Sequence, residues 1–214
     1  MTSLPHGVRT SVVEVGAHRM HAFHAGRPAA PAVVLLHGFG VSGRYYLPLA
    51  TRLARDFAVH VPELPGHGES SRPPRALDVR AQADVLDAWL VASGLPDGLV
   101  IVANSLGCQV AAALCVQRPV LARSLVFIGP TLDPGNRQLG VLFARVVGTA
   151  LFERLSLPGL LLLDYAHMGV RRVAQELRHM LADRIERHLP LVTAPTLVLR
   201  GSLDFVVPAD WPHT

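Results

Sequence analysis

The segment Val102-Ala103-Asn104-Ser105-Leu106-Gly107 sets a serine between an apolar run and a small-residue helical pattern. A strand that turns at once into a helix holds its central residue in a sparsely populated backbone conformation and lifts that side chain clear of its neighbours. Side chains two positions away would collide, which accounts for Ala103 before Ser105 and Gly107 after it. The hydroxyl then stands at the positive end of a helix dipole, a place suited to nucleophilic attack on a carbonyl carbon. An ordinary N-cap serine is the competing reading of the same residues.

Three further segments bear on that chemistry. In His37-Gly38-Phe39-Gly40 the glycines let the backbone turn inward, so that the Phe39 amide can face a substrate oxygen, with the Leu106 amide as a second donor. Two such donors stabilise the anion of a tetrahedral intermediate, and losing one typically costs about 3–4 kcal/mol. The Gly-rich run Pro65-Gly66-His67-Gly68-Glu69-Ser70 reads as shaping a pocket without direct chemistry. Asp204 follows an apolar run ending at Leu199, where a carboxylate can orient a histidine. No Cys/His cluster of the ligand type is present, so neither a metal nor a cofactor is expected.

Holding these residues together takes alternating strands and helices. The pattern predicts strands over 11–15, 18–25, 32–36, 57–61, 98–103, 124–128 and 196–199. Helices are predicted over 44–55, 77–93 and 106–117. The unbroken apolar run Ala32–Leu36 suits a strand covered on both faces. The expected fold class is α/β, a mostly parallel doubly wound sheet, with ligands at the carboxyl ends of the strands. Residues 1–130 and 190–214 would form the core, and the helically patterned 131–189 a cap inserted before the last predicted strand. Leu139, Val141, Leu142, Phe143, Leu151 and Phe152 make that segment apolar, pointing to a small apolar substrate, although core packing predicts the same composition.

Composition excludes several classes of function. The chain has 214 residues with 50 % hydrophobic and 17 % charged, which suits one folded domain. All 20 basic residues are Arg, scattered rather than clustered, so the net charge of +4 does not read as a nucleic-acid surface. No apolar run approaches the ~20 residues of a membrane span. The first ten residues lack the apolar stretch of a signal peptide, and a cytoplasmic location is expected. Cys108 and Cys115 lie ~10 Å apart along one predicted helix, too far for a bridge.

Together the four segments resemble the α/β-hydrolase superfamily, in its capped lipase, esterase and C–C-bond hydrolase branch, from about Val12 to Trp211. By position the resemblance implies Ser105 as nucleophile, Asp204 as acid, and the Phe39 and Leu106 amides as the oxyanion hole. Serine at the elbow argues against the haloalkane dehalogenase and epoxide hydrolase branches, which place Asp there. The implied function is hydrolysis of an ester, or of a C–C bond, of a small apolar substrate through an acyl-enzyme. The alternative is a non-catalytic, hydrolase-like binding protein or a truncated remnant lacking the catalytic histidine. The general base of the family is a histidine on a loop after a further strand, and only ten residues follow Asp204 here, His213 the one histidine among them. His37 and His67 read as structural or rim residues. Without a further strand, 196–199 would be an exposed sheet edge, predicting self-association and reduced stability.

Overall fold

The computed structural model describes residues 4–130 and 168–202. Seven strands form one sheet in the order β1-β2-β4-β3-β5-β6-β7. They are β1 (Arg9–Val15), β2 (His18–Ala25), β3 (Ala32–Leu36), β4 (Ala58–Pro62), β5 (Leu99–Asn104), β6 (Ala122–Ile128) and β7 (Thr196–Leu199). β1 and β2 pair antiparallel around a two-residue turn opened by Gly16, and β2 pairs antiparallel with β4. From β4 to β7 every pairing is parallel, as the apolar strand runs predict.

Helices cover the sheet where their stripes are apolar. α2 (Val79–Ala92) turns Val79, Ala83, Leu86, Trp89 and Leu90 inward. α3 (Leu106–Gln117) is buried along nearly its whole length, and Ala111, Ala112 and Ala113 let it lie close to the strands. These side chains join Leu36, Ile101, Ala103, Leu125 and Phe127 in the larger core. Full burial of a residue such as Leu86 or Leu90 contributes about 1.5–3 kcal/mol. The opposite face packs Phe23, Val33, Leu35, Val59 and Val61 against Tyr46, Leu47 and Ala50.

The predicted helix 44–55 is split. Gly43–Tyr46 forms a 3-10 turn, and α1 (Leu47–Leu53) follows. Pro48 has no N–H to donate to the Arg44 carbonyl four residues back, so the first turn closes more tightly.

Residues 131–167, most of the expected cap, lie outside the described residues. Beyond them α4 (Val170–Ala182) and α5 (Ile185–His188) carry on the helical pattern, and Met180 and Ile185 enter the larger core. β7 borders the described sheet, with Leu197 55 % and Leu199 43 % exposed. No described helix is long and apolar enough to cross a membrane.

Candidate active site at the carboxyl edge of the sheet

β3, β5, β6 and β7 end side by side: Leu36 pairs with Ala103, Asn104 with Ile128, and Ile128 with Leu199. Ser105 leaves this edge directly into α3. Its backbone sits at φ 52°, ψ −118°, and it is the one non-glycine residue with positive φ among the described residues. Ser105 N–H and Asn104 Nδ2 both donate to the Ile128 carbonyl at 3.1 Å, which ties the elbow to β6. The Ser105 carbonyl accepts from Cys108 N–H at 2.9 Å, the first helical bond. Its side chain makes no capping bond, so the hydroxyl is not spent on the helix.

Glycine is needed at two neighbouring positions for steric reasons. A Cβ on Gly107 would lie 2.7 Å from the carbonyl oxygens of both Leu36 and His37. The first turn of α3 therefore packs against the backbone leaving β3. A Cβ on Gly38 would lie 2.8 Å from Asn104 Oδ1 and 3.1 Å from Ser105 Cβ. The turn 38–40 thus rests on the elbow, and Gly40 completes it at φ 71°. Phe39 is half-buried against the larger core. Leu106 is the first residue of α3, and an amide there has no intrahelical acceptor.

His37 is a strut. Leu64 N–H donates to its Nε2 at 3.0 Å, and its Nδ1–H donates to the Gly38 carbonyl at 3.0 Å. Complete burial, with His67 alongside, pulls its pKa down to about 3, so the ring is neutral. Both nitrogens are engaged, and His37 has no lone pair to offer Ser105. His67 packs its ring 4.7 Å from that of His37 and turns Nε2 toward Glu176 Oε2 of α4 at 3.2 Å. Arg172 Nη2 donates to the Pro73 carbonyl, bracing α4 on the same loop.

Glu63, which the sequence reading did not single out, organises the loop 64–70. Its carboxylate accepts from Gly43 N–H at 2.8 Å and Glu69 N–H at 2.7 Å, and contacts His21 Nδ1 at 2.9 Å. Burial alone would raise its pKa, but the His21 and Glu69 hydrogen bonds and the His21 charge outweigh burial and hold it low. The available signal was one carboxylate in the buried run 58–67. Glu176 gave none: four residues after Arg172, it reads as half of a solvated helix pair.

Cys108 lies under the elbow with Sγ donating to the Ala103 carbonyl at 3.3 Å. Burial raises the pKa of both thiols, that of Cys115 to about 12, so neither is a nucleophile near neutral pH. Among the described residues no three His, Cys, Asp or Glu side chains group as metal ligands. Arg200, Gly201 and Ser202 continue the chain from β7 at the edge where Ser105 stands. Asp204 and His213 lie outside the described residues.

A parallel sheet ending in a strand–serine–helix turn, with a glycine turn resting on it, defines a hydrolase type of fold. The model of the alpha/beta hydrolase family matches residues 33–214, and the chain belongs to that family. A pimeloyl-[acyl-carrier protein] methyl ester esterase of Pseudoalteromonas atlantica is 33 % identical over 53 % of this chain and 43 % of its own length. That of Chromobacterium violaceum is 38 % identical over 46 % of this chain and 36 % of its own. The matches thus span less than half of these relatives. The crystal structure of a putative lipase from Acinetobacter baumannii superposes with a TM-score of 0.80 at 19 % identity, over 97 % of this chain and 78 % of that one.

Proposed function

We propose that this chain is a serine hydrolase that cleaves a carboxylic ester, with a methyl ester as the first substrate to test. One observation carries the reading. Ser105 alone among the described non-glycine residues holds a positive φ, and it does so at the start of a helix that its side chain does not cap. Backbone strain of this kind costs on the order of 1–3 kcal/mol and clusters at functional sites.

In the proposed reaction Ser105 Oγ attacks the ester carbonyl carbon and loses its proton to a base. The carbonyl oxygen becomes an anion that the Phe39 and Leu106 amides stabilise. The alcohol departs with the proton and leaves an acyl-enzyme. Water then attacks the acyl carbon, releasing the acid and returning the proton to Ser105. Asp204 is assigned as the carboxylate that orients the base. The relatives' named activity on a methyl ester supports the substrate class. The free, buried thiols support a reducing, cytoplasmic setting.

The second reading, a hydrolase-like binding protein, is favoured by a specific observation: both nitrogens of His37 are hydrogen-bonded, and His67 turns its Nε2 to Glu176. Neither described histidine at this edge is placed to take a proton from Ser105. A fluorophosphonate probe separates the two readings. Covalent labelling at Ser105, seen by peptide mass, is expected for the hydrolase. Absence of labelling, with ester binding intact, would overturn it in favour of the binder.

A further inference from the structure

The strand register that builds the sheet also brings together two histidines far apart in the sequence. His24 on β2 stands directly opposite His60 on β4, and Arg9 on β1 stands opposite His24. Opposed side chains of an antiparallel pair have Cβ atoms ~5 Å apart, close enough for two imidazoles to meet. The ring centroids are 5.1 Å apart at an interplanar angle of 79°, and the two Nδ1 atoms are 3.0 Å apart. A hollow of about 280 Å³ opens beside them, lined by Arg9, Ser11, His24, Pro28 and His60, among others. Ala58 and Val59, the first residues of β4, also line it, so it lies at the amino ends of the parallel strands, the end of the sheet remote from Ser105. Ester chemistry at Ser105 does not use it.

Two observations equip the pair to hold a metal ion. The first is an outer contact: Ser11 Oγ lies 2.7 Å from His24 Nε2. With Nε2–H donating to the hydroxyl, His24 Nδ1 is a bare lone pair, and the Nδ1–H of His60 points at it. Metal-ligating histidines are oriented by such a hydrogen bond at the other ring nitrogen. The second is charge state. Burial, followed by the charges of His60, Arg9 and His21, lowers the pKa of His24 to about 4, and burial with Arg9 lowers that of His60. Both rings are therefore neutral near pH 7, the form that binds a metal. Only the tautomer of His60 has to change: its proton moves from Nδ1 to Nε2 and frees a second lone pair. Both rings are half-buried, and the adjoining hollow gives room for the ring rotations that turn the two lone pairs to one point.

The spacing selects among ions. Two imidazole nitrogens each ~2.1 Å from one ion stand ~3.0 Å apart when they are cis at a right angle, and ~3.4 Å apart at a tetrahedral angle. The observed 3.0 Å fits the right angle. From this juxtaposition we propose that His24 and His60 form a binding site for a divalent transition-metal ion of tetragonal preference, copper(II) or nickel(II), which staples β2 to β4. No third His, Cys, Asp or Glu joins them among the described residues, so water completes the coordination. Arg9 opposes the ion with its positive charge, but it is exposed and screened by water, so it weakens the site without closing it. As a sequence motif the pair is invisible, because 36 residues separate its members and only the β2–β4 register joins them.

Calorimetry on the untagged, chelator-stripped chain tests the site without relying on turnover. Titration with Ni²⁺ is expected to show one saturable site, with Zn²⁺ binding more weakly. Electron paramagnetic resonance of the Cu²⁺-loaded chain should show coupling to two nitrogen nuclei. His24→Gln and His60→Gln should each abolish the site, and Ser11→Ala should weaken it by about tenfold. Arg9→Gln should tighten it by about twofold, an effect that shrinks as salt rises. His6→Gln, in the exposed turn before β1, should leave it unchanged. Ni²⁺ should also raise the urea midpoint of the unsubstituted chain, and the rise should vanish in both histidine variants. Where a histidine variant fails to fold, the opposite shifts of Ser11→Ala and Arg9→Gln carry the same test. Absence of a saturable site, binding indifferent to His24→Gln and His60→Gln (adventitious surface histidines only), Zn²⁺ bound more tightly than Ni²⁺, or coupling to a single nitrogen would each overturn the site and leave the His24–His60 contact as a hydrogen bond.

Discussion

Two helices of this protein begin in opposite ways. α2 starts at Asp78, whose backbone is extended (φ −72°, ψ 173°) and whose carboxylate accepts from Ala81 N–H at 2.8 Å. α3 starts at Ser105, a residue type equally good at capping, yet its backbone is at φ 52° and its side chain caps nothing. Asp78 serves its helix. At Ser105 the helix serves the residue, because the hydroxyl is left out of the cap. The strain is borne by surroundings that over-determine the turn: the Ile128 carbonyl takes two hydrogen bonds from it, and the backbone of β3 closes on Gly107. An N-cap serine and a nucleophile are thus distinguished by backbone and packing rather than by residue type.

The sharpest way to break the comparison is to remove both side-chain oxygens in turn. Ser105→Ala is expected to lower ester hydrolysis by roughly 10⁴–10⁶-fold, as loss of a nucleophile does elsewhere. Its stability should change by less than about 0.5 kcal/mol, because no cap is lost. Steady-state rates with p-nitrophenyl esters and urea unfolding of the same preparation check both halves. Activity that survives Ser105→Ala would return Ser105 to the status of an ordinary N-cap.

The packing that enforces the turn comes next. Gly107→Ala would push a methyl group to 2.7 Å from two backbone carbonyl oxygens, and backbone cannot swing aside as a long side chain can. A destabilisation of about 2–3 kcal/mol is expected from such overpacking, with activity falling alongside as the elbow shifts. Denaturant midpoints measure the first effect and rates at permissive temperature the second. A near-neutral Gly107→Ala would mean that the α3–β3 contact is looser than the close approach implies.

Acid should undo the loop side of the site. Glu63 has a lowered pKa when folded, so its contribution is full above the usual carboxylate value of 4.5 and is lost as the pH falls through the lower folded value. His37 is also depressed, from 6.5 to about 3. The unfolded chain binds that proton first, so stability declines with falling pH from 6.5 downward. Unfolding free energies at a series of pH values between 7.5 and 4 should show this slope. Glu63→Gln should cost about 2–3 kcal/mol at neutral pH, since an amide cannot accept all the bonds the carboxylate takes.

How much of this was legible in the residues depends on the range of each interaction. The elbow was, because its constraints lie within two residues of Ser105, and the buried strands were, because their runs are local. The glycine at position 107 was legible as a site of crowding, but not what crowds it, which is the β3 backbone 70 residues earlier. Glu63 and Glu176 were missed because burial of a carboxylate depends on partners far along the chain: Gly43 and His21 for one, His67 for the other. The split of helix 44–55 was readable in principle from Pro48. The reach of α4 into the core, through Met180, was hidden in a segment whose apolar pattern serves a cap equally well.

Asp78→Ala is a smaller effect and the reference for the comparison. It should cost about 1 kcal/mol of stability through the lost Ala81 bond while leaving turnover unchanged. Thermal or urea unfolding beside steady-state rates measures the pair of values, and a loss of activity matching that of Ser105→Ala would mean that the two helix starts are not functionally separate.

The smallest expected effect isolates the strain itself. Ser105→Gly and Ser105→Ala both lack the hydroxyl, so neither should hydrolyse esters, and their difference in stability reports only the backbone. Glycine adopts positive φ without steric cost, whereas alanine retains the strain at φ 52°. Relief of on the order of 1–3 kcal/mol is offset by the greater freedom glycine has when unfolded, worth about 0.5–1 kcal/mol. Ser105→Gly should therefore be the more stable of the two by about 0.5–1 kcal/mol. At Asp78, where φ is −72°, glycine relieves no strain, and any advantage over alanine there is the ordinary N-cap preference, which sets the baseline for Ser105. Paired urea titrations of the four variants give both differences in one experiment. If glycine stabilises at neither position, the positive φ of Ser105 carries no strain, and the contrast between the two helix starts rests on the capping bond alone.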